Sequence, residues 1–341
     1  MFMLLKKLTV SFVLSASIIF NINALYALSV IPGGDSIGIN LDYDGIVITG
    51  GYSITIDEKP YNPIDDGIET GDVIVEANNN TVGTIAELME EIKICLEEEE
   101  NNNNIMSLVI RRGNATVNHD IKMMYNEETK QFSTGLYVKD SLMGIGTMTY
   151  YNPETKSFGS LGHAMSDVEL DDQALIKTGT IYRSTVTGIK KGSENQAGQK
   201  IATINDVELG EVNDHSQFGI YGTYDDTVID ERNLIETAKI SEVKLGKAHF
   251  LTVLEGDKIV ECEIEITELK PQSKMDQKGI SFTITDSKVM EKADGIVQGM
   301  SGSPIIQDGK LVGCVTHVSG ADQSTGFGLY IEWMLDMDEQ E

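Results

Sequence analysis

The chain has 341 residues, with 26 Lys and Arg against 54 Asp and Glu, giving a formal net charge of −28. That acidity excludes a nucleic-acid binder, which needs a basic footprint on phosphate. An apolar fraction of 40% excludes wholesale disorder, and the length predicts two folded domains rather than one.

Lys6 and Lys7 precede an apolar run from Leu8 to Phe20, the pattern of an export signal. Small residues near Ala27 offer a cleavage site. Left uncut, Leu8 to Ile31 is long enough to span a bilayer as one helix, so residues 1–31 read as a signal peptide or a membrane anchor.

Short strands and one helix follow in residues 37–125. Gly45 to Gly51 reads as a strand ending in glycines, and Ile64 to Ile74 as a turn leading into another strand. A helix starts at Val82-Gly83-Thr84, with Ile85, Leu88, Met89, Ile92 and Leu96 at helical spacing. Glu97 to Asn104 is a polar, low-complexity tip, and Ile105 to Arg111 is a strand. Asn62-Pro63-Ile64-Asp65-Asp66-Gly67-Ile68 with Thr70-Gly71-Asp72-Val73-Ile74 resembles the small helix and following strand of bacterial PDZ modules. Such modules take an extended peptide as an added strand at a sheet edge.

From residue 135 to 341 helical periodicity largely disappears. Short β-type runs alternate with turn signals: Gly144 to Tyr151, Ser157 to Leu161, Thr180 to Thr187, Lys200 to Leu209, His249 to Leu254, Ile259 to Ile266, Gly279 to Thr285 and Leu311 to Val318. That density predicts a β-barrel or sandwich, or two small barrels, with a short closing helix at Ile331 to Met334. The three cysteines, Cys95, Cys262 and Cys314, have apolar neighbours and no C-x-x-C spacing, so they read as buried hydrophobes. No metal-ligand spacing or phosphate loop appears, and no cofactor is expected.

The chemistry concentrates at Gly299-Met300-Ser301-Gly302-Ser303-Pro304. A nucleophilic serine needs a tight turn with backbone N–H groups free to face a developing oxyanion, and flanking glycines permit that turn. Ser301 is therefore the candidate nucleophile, with the N–H groups of Gly299 and Ser301 as the oxyanion hole; Ser303 is next in line. Of the five histidines, His163 sits on a glycine-bearing turn after a strand, where a side chain is aimed rather than packed. It is the candidate general base. His317 is the rival, on the strand after the serine, and reads as structural or pocket-lining; His249 reads as structural and His215 as surface.

Gly159-Ser160-Leu161-Gly162-His163 with Ser166-Asp167, and Val297 to Ile306 around Ser301, are similar to the two signatures of the sporulation stage IV protein B peptidases. Val30 to Gly38 and Ile331-Glu332-Trp333-Met334-Leu335 fit the same family, in one collinear order from Ser29 onward. The resemblance implies a mainly β chain in which a PDZ-like domain is followed by a chymotrypsin-like double β-barrel. It implies a serine endopeptidase with Asp286 as third triad member, nearer the serine than in the usual chymotrypsin-like layout; Asp167 is the rival. It also implies export across the forespore membrane to the intermembrane space. The implied substrates are the chain's own N-terminal segment and a membrane-bound sporulation regulator, whose cleavage triggers sigma-factor activation. A reading from another class is a catalytically inert PDZ scaffold that binds peptides at the membrane.

Overall fold

The computed structural model describes residues 28–97, 104–126, 131–165, 176–193, 196–225, 233–320 and 322–338. Strand β1 (Ser29–Pro32) leads into β2 (Ser36–Gly51), which is long enough to serve two units. β6 (Leu136–Asn152) pairs along almost the whole length of β2 and β8 (Ile176–Lys190) along its first half, while Ile46 and Val47 also pair with β3 (Val73–Ala77). β3 continues through β4 (Ile105–Arg112) to β5 (Ala115–Lys122), and α1 (Ile85–Glu97) covers them to complete a PDZ-like module. Ile46, Ile48, Ile68, Ile74, Leu88, Leu108 and Ile110 form its core. The buried Asp72 receives both Arg112 Nε and Nη2 at 2.7 Å, which accounts for the acid in the Gly71-Asp72 motif.

The module is thus set into the peptidase sheet rather than ahead of it. A boundary at residue 37 falls inside a strand that both units share. A spanning helix reaching Ile31 is also excluded, because the β-branched Val30 and Ile31 sit in β1. There Ile31 faces Tyr151 of β6, and Val30 faces Ile235 of β11 (Ile235–Glu236). No described helix is long and apolar enough to cross a membrane, and residues 1–27 lie outside the described set.

β6 continues to β7 (Ser157–Ser160), β10 (Gly219–Tyr224), β9 (Gly198–Ser216) and β8, then back through β2 to β6, so six strands close on themselves. Ile37, Ile39, Leu41, Phe158, Ile181, Val212 and Ile220 fill this first barrel. The second closed barrel runs β12 (Gly246–Val253), β13 (Ile259–Leu269), β14 (Ile280–Ile284), β18 (Thr325–Tyr330), β17 (Lys310–Val318) and β16 (Pro304–Gln307). Phe250, Phe282, Ile264, Ile305 and Val315 fill it. β15 (Val297–Gln298) leaves the second half to pair with β9 of the first. Helix α3 (Ile331–Asp338) seals the join, packing Ile331 and Met334 with Val30, Tyr150 and Leu329.

Candidate active site

Ser301 lies between β15 and β16, on the face of the second barrel that meets β6. Two threonines of β6 hold its loop. Thr147 N–H donates to Ser301 O at 2.9 Å, and the hydroxyls of Thr147 and Thr149 donate to Gly299 O and Gly302 O, each at 2.7 Å. Ser303 N–H donates to Met300 O at 3.0 Å. The carbonyls of residues 299–302 are therefore all engaged, while the Ser301 N–H has no acceptor among the described residues. Gly299 and Gly302 both take φ +91°, a conformation L side chains rarely adopt, which is why the serine needs glycine on either side. Ser301 is half-buried and reachable. Ser303 is fully buried and so cannot replace it.

His163 follows a turn that ends β7. Leu161 and Gly162 both take left-handed φ values, +72° and +70°. A leucine in that region is strained, as occurs where a side chain must be aimed. This turn packs directly on the serine loop. A Cβ on Gly162 would lie 2.5 Å from Cys314 Sγ and 2.8 Å from Thr316 Cγ2, and one on Gly302 would lie 2.6 Å from Leu161 N. Ser160 Oγ donates to Thr147 O at 2.6 Å, so the same threonine braces both loops.

His163 Nδ1 sits 2.7 Å from Ala164 O. A carbonyl accepts only, so Nδ1 carries the proton and Nε2 presents a lone pair, the tautomer a base requires. Burial holds the His163 pKa below its ordinary value, keeping the ring neutral. Ser301 Oγ donates to Thr316 O at 3.1 Å, which parks the hydroxyl proton on a backbone carbonyl.

A family model described as SpoIVB peptidase S55 matches residues 130–335, more than half of the chain and both loops just described. The chain belongs to the SpoIVB peptidase S55 family. It is a serine peptidase. No curated protein matches it in sequence. Among solved structures, the PDZ domain of the SdrC-like protein from Listeria monocytogenes is 19% identical, covering 29% of this chain and 90% of that one, at a TM-score of 0.21. The active form of the Rv3671c protease from M. tuberculosis is 16% identical, covering 57% of this chain and 74% of that one, at a TM-score of 0.34.

Asp286 does not meet His163 in this S55 peptidase. It is the N-cap of α2 (Ser287–Ala293), where Oδ1 accepts the N–H groups of Lys288 and Val289 at 2.8 and 3.3 Å. It borders a cleft with Leu254, Lys258, Val260 and Lys292 that contains no histidine. The reason is local: the first turn of a helix has unpaired donors, and an aspartate just ahead of it satisfies them. The other candidate acid, Asp167, lies outside the described residues.

The other two histidines of interest gather around His163. The His317 ring lies 5.3 Å from it, tilted by 46°. His317 is pushed down to about 4 by burial, His163 and Lys278, so it is neutral near pH 7. His215, read from sequence as surface, accepts the Met165 N–H on Nε2 at 3.1 Å and so braces the chain just after the base. Among the described residues no cluster of three or more His, Cys, Asp or Glu side chains is arranged to hold a metal. Cys262 and Cys314 are buried free thiols, and burial raises both to about 12.

Proposed function

We propose that this peptidase is an endopeptidase with Ser301 as nucleophile, His163 as general base and the N–H groups of Gly299 and Ser301 as oxyanion hole. One observation carries the reading: Thr147 holds both the serine loop, whose Ser301 N–H has no acceptor among the described residues, and the turn that leads to His163, whose Nε2 is left unprotonated. In the reaction, Ser301 Oγ turns from Thr316 O to His163 Nε2, loses its proton there and attacks the scissile carbonyl. The oxyanion falls on the two N–H groups, and the imidazolium then protonates the leaving amine. Water repeats the sequence on the acyl-enzyme. Asp286 has no part in this scheme, because Ala164 O supplies the acceptor that fixes the ring.

Membership of the family supports the finer reading: a sporulation peptidase, exported across the forespore membrane, that cleaves its own N-terminal segment and a membrane-bound regulator to trigger sigma-factor activation. The PDZ-like module supplies peptide binding beside the catalytic barrels. The inert-scaffold alternative draws on the Ser301–Thr316 hydrogen bond, since a hydroxyl committed elsewhere is not yet activated. Labelling by a fluorophosphonate, with terminal-peptide mass spectrometry of self-cleavage, separates the two. Wild-type chain should label and cut, and Ser301→Ala should do neither while staying folded. A folded wild-type chain that neither labels nor cuts would leave the scaffold reading standing.

A further inference from the structure

Lys200 is an anomaly. It lies on β9 at 5% exposure, yet the only described partners of its ammonium are two hydroxyls: Thr252 Oγ1 at 2.8 Å and Thr147 Oγ1 at 3.2 Å. Neither threonine is exposed at all, and no carboxylate lies within ion-pair reach among the described residues. A buried, unpaired cation is costly and is not retained for stability. The neighbouring titratable group is Cys262 on β13, which burial keeps as a neutral thiol, so nothing there cancels the lysine's charge.

Its position relates it to the reaction. β9 runs parallel to β15, with Gly198 opposite Val297 and Gln199 opposite Gln298, which brings Lys200 alongside Gly299. A Cβ on Gly299 would lie 3.1 to 3.3 Å from the lysine stem, so the stem forms the floor of the serine loop. Proton accounting fixes the direction of the hydrogen bonds. The Thr147 hydroxyl has one proton, and its shorter bond, 2.7 Å, spends it on Gly299 O; towards Lys200 it accepts. The chain of donation therefore runs from Lys200 Nζ to Thr147 Oγ1 to Gly299 O.

We propose that Lys200 is a positioning residue for the oxyanion-binding loop: its ammonium fixes the Thr147 hydroxyl that holds the Gly299 carbonyl, and it sets a positive charge behind the loop on which the tetrahedral intermediate places its negative charge. This rests on the Ser301 reading. Burial depresses the lysine to about 7, and the oxyanion in front of it favours the protonated form as the reaction proceeds. Lys200 is not the general base, because its hydrogen bonds go to the threonines and not to Ser301.

The test uses the full chain as Lys200→Met, Lys200→Arg, Thr147→Val, Thr147→Ser and Ser301→Ala. Turnover is measured on a fluorogenic peptide carrying the self-cleavage sequence. Inhibition is measured with the matching peptide aldehyde, which forms a tetrahedral adduct with the serine, and with the matching peptide acid, which does not. Losing a direct oxyanion donor costs about 10²- to 10³-fold, so Lys200→Met, acting one residue removed, should lower kcat by about 10- to 100-fold. KM should stay within about twofold, and aldehyde affinity should fall by the same factor as kcat with the acid unaffected. The melting temperature should not fall. Lys200→Arg should not restore kcat, because a fork of donors does not fit the two-hydroxyl pocket. Thr147→Ser should retain turnover and Thr147→Val should lower it at least as much as Lys200→Met does, with Lys200→Met/Thr147→Val no worse than Thr147→Val alone. Wild-type kcat in Lys200→Met overturns the proposal. So does a lower kcat that comes with a lower melting temperature and unchanged aldehyde affinity, the signature of a purely structural residue. Loss as complete as in Ser301→Ala also overturns it, by making Lys200 a base. Turnover surviving in Ser301→Ala would instead overturn the nucleophile assignment.

Discussion

Gly302→Ala tests the geometry of the whole site with one methyl group. The backbone there has φ +91°, and the new Cβ would run into Thr147 O and lie 2.6 Å from Leu161 N. Both neighbours are backbone, so no side chain can swing aside. The left-handed conformation costs an L residue about 1–2 kcal/mol, and overpacking a well-filled site about 1–3 kcal/mol, so the variant should lose roughly 2–5 kcal/mol. At about 2–4 °C per kcal/mol for a unit of this size, the melting temperature should fall by roughly 4–20 °C. Thr147 belongs to the strand that holds the serine loop and Leu161 to the turn that aims His163, so the strain is relieved by driving the two loops apart. A displacement of about 1 Å costs on the order of 10²-fold in rate. Gly309→Ala is the control: φ is +79° but nothing lies within 4 Å of the added Cβ, so only the conformational cost of about 1–2 kcal/mol remains and the site is untouched. Thermal unfolding and the rate of fluorophosphonate labelling, measured on both variants well below their transitions, complete the comparison. If the two behave alike, the packing of the histidine turn on the serine loop does not matter to catalysis and the reasoning fails.

His163→Ala should abolish turnover, on the order of 10⁶-fold by analogy with other triad bases, and the double variant with Ser301→Ala should be scarcely worse. Because burial depresses His163, the acid limb of the kcat/KM profile should lie below the ordinary histidine value of 6.5. His317→Ala, which admits water beside the ring, should move that limb upward in pH, and an unmoved or lowered limb would refute the burial argument. Asp286→Ala should cost about 1 kcal/mol through the lost cap while kcat stays within about threefold. A severe kcat loss with an unchanged melting temperature would return the aspartate to the triad. Replacing residues 44–139 by Asn-Gly joins β2 to β6, since Asp42 already pairs with Ser141. That variant should keep its labelling rate but cut protein substrates poorly, and equal loss on both would deny the module a separate role.

What the sequence disclosed follows from which constraints are local. The turns that carry Ser301 and His163 were legible because each has glycine at fixed neighbours, and a left-handed glycine leaves a written trace. Lys200 was not, since Gly198-Gln199-Lys200-Ile201 reads as an ordinary alternating strand. Only the apposition of β6, β12 and β15 closes water off from the ammonium. His215 was hidden for the same reason, because its partner, Met165, lies far from it in sequence. The capping role of Asp286 was also written locally: Asp286-Ser287-Lys288-Val289 is an N-cap entering a helix, and a carboxylate so placed is already committed to backbone donors. That β2 serves both units was not legible, because strand alternation tells which face of β2 is buried, not which unit buries it.

The strand Ser29–Pro32 has a consequence in time. Val30 pairs with Ile235 and packs against Leu329, Ile331 and Met334 of the last strand and helix, so almost the first described residues are held by almost the last. Contacts so distant along the chain form slowly, after the local hairpins have closed. Neither barrel is sealed to the other until the C-terminal helix is in place, and Thr147 meets Gly299 and Ser301 only across that seal. A chain still emerging, N-terminus first, from a ribosome therefore carries its histidine turn without its serine loop. Assembly of the site waits on the C-terminal half of the chain.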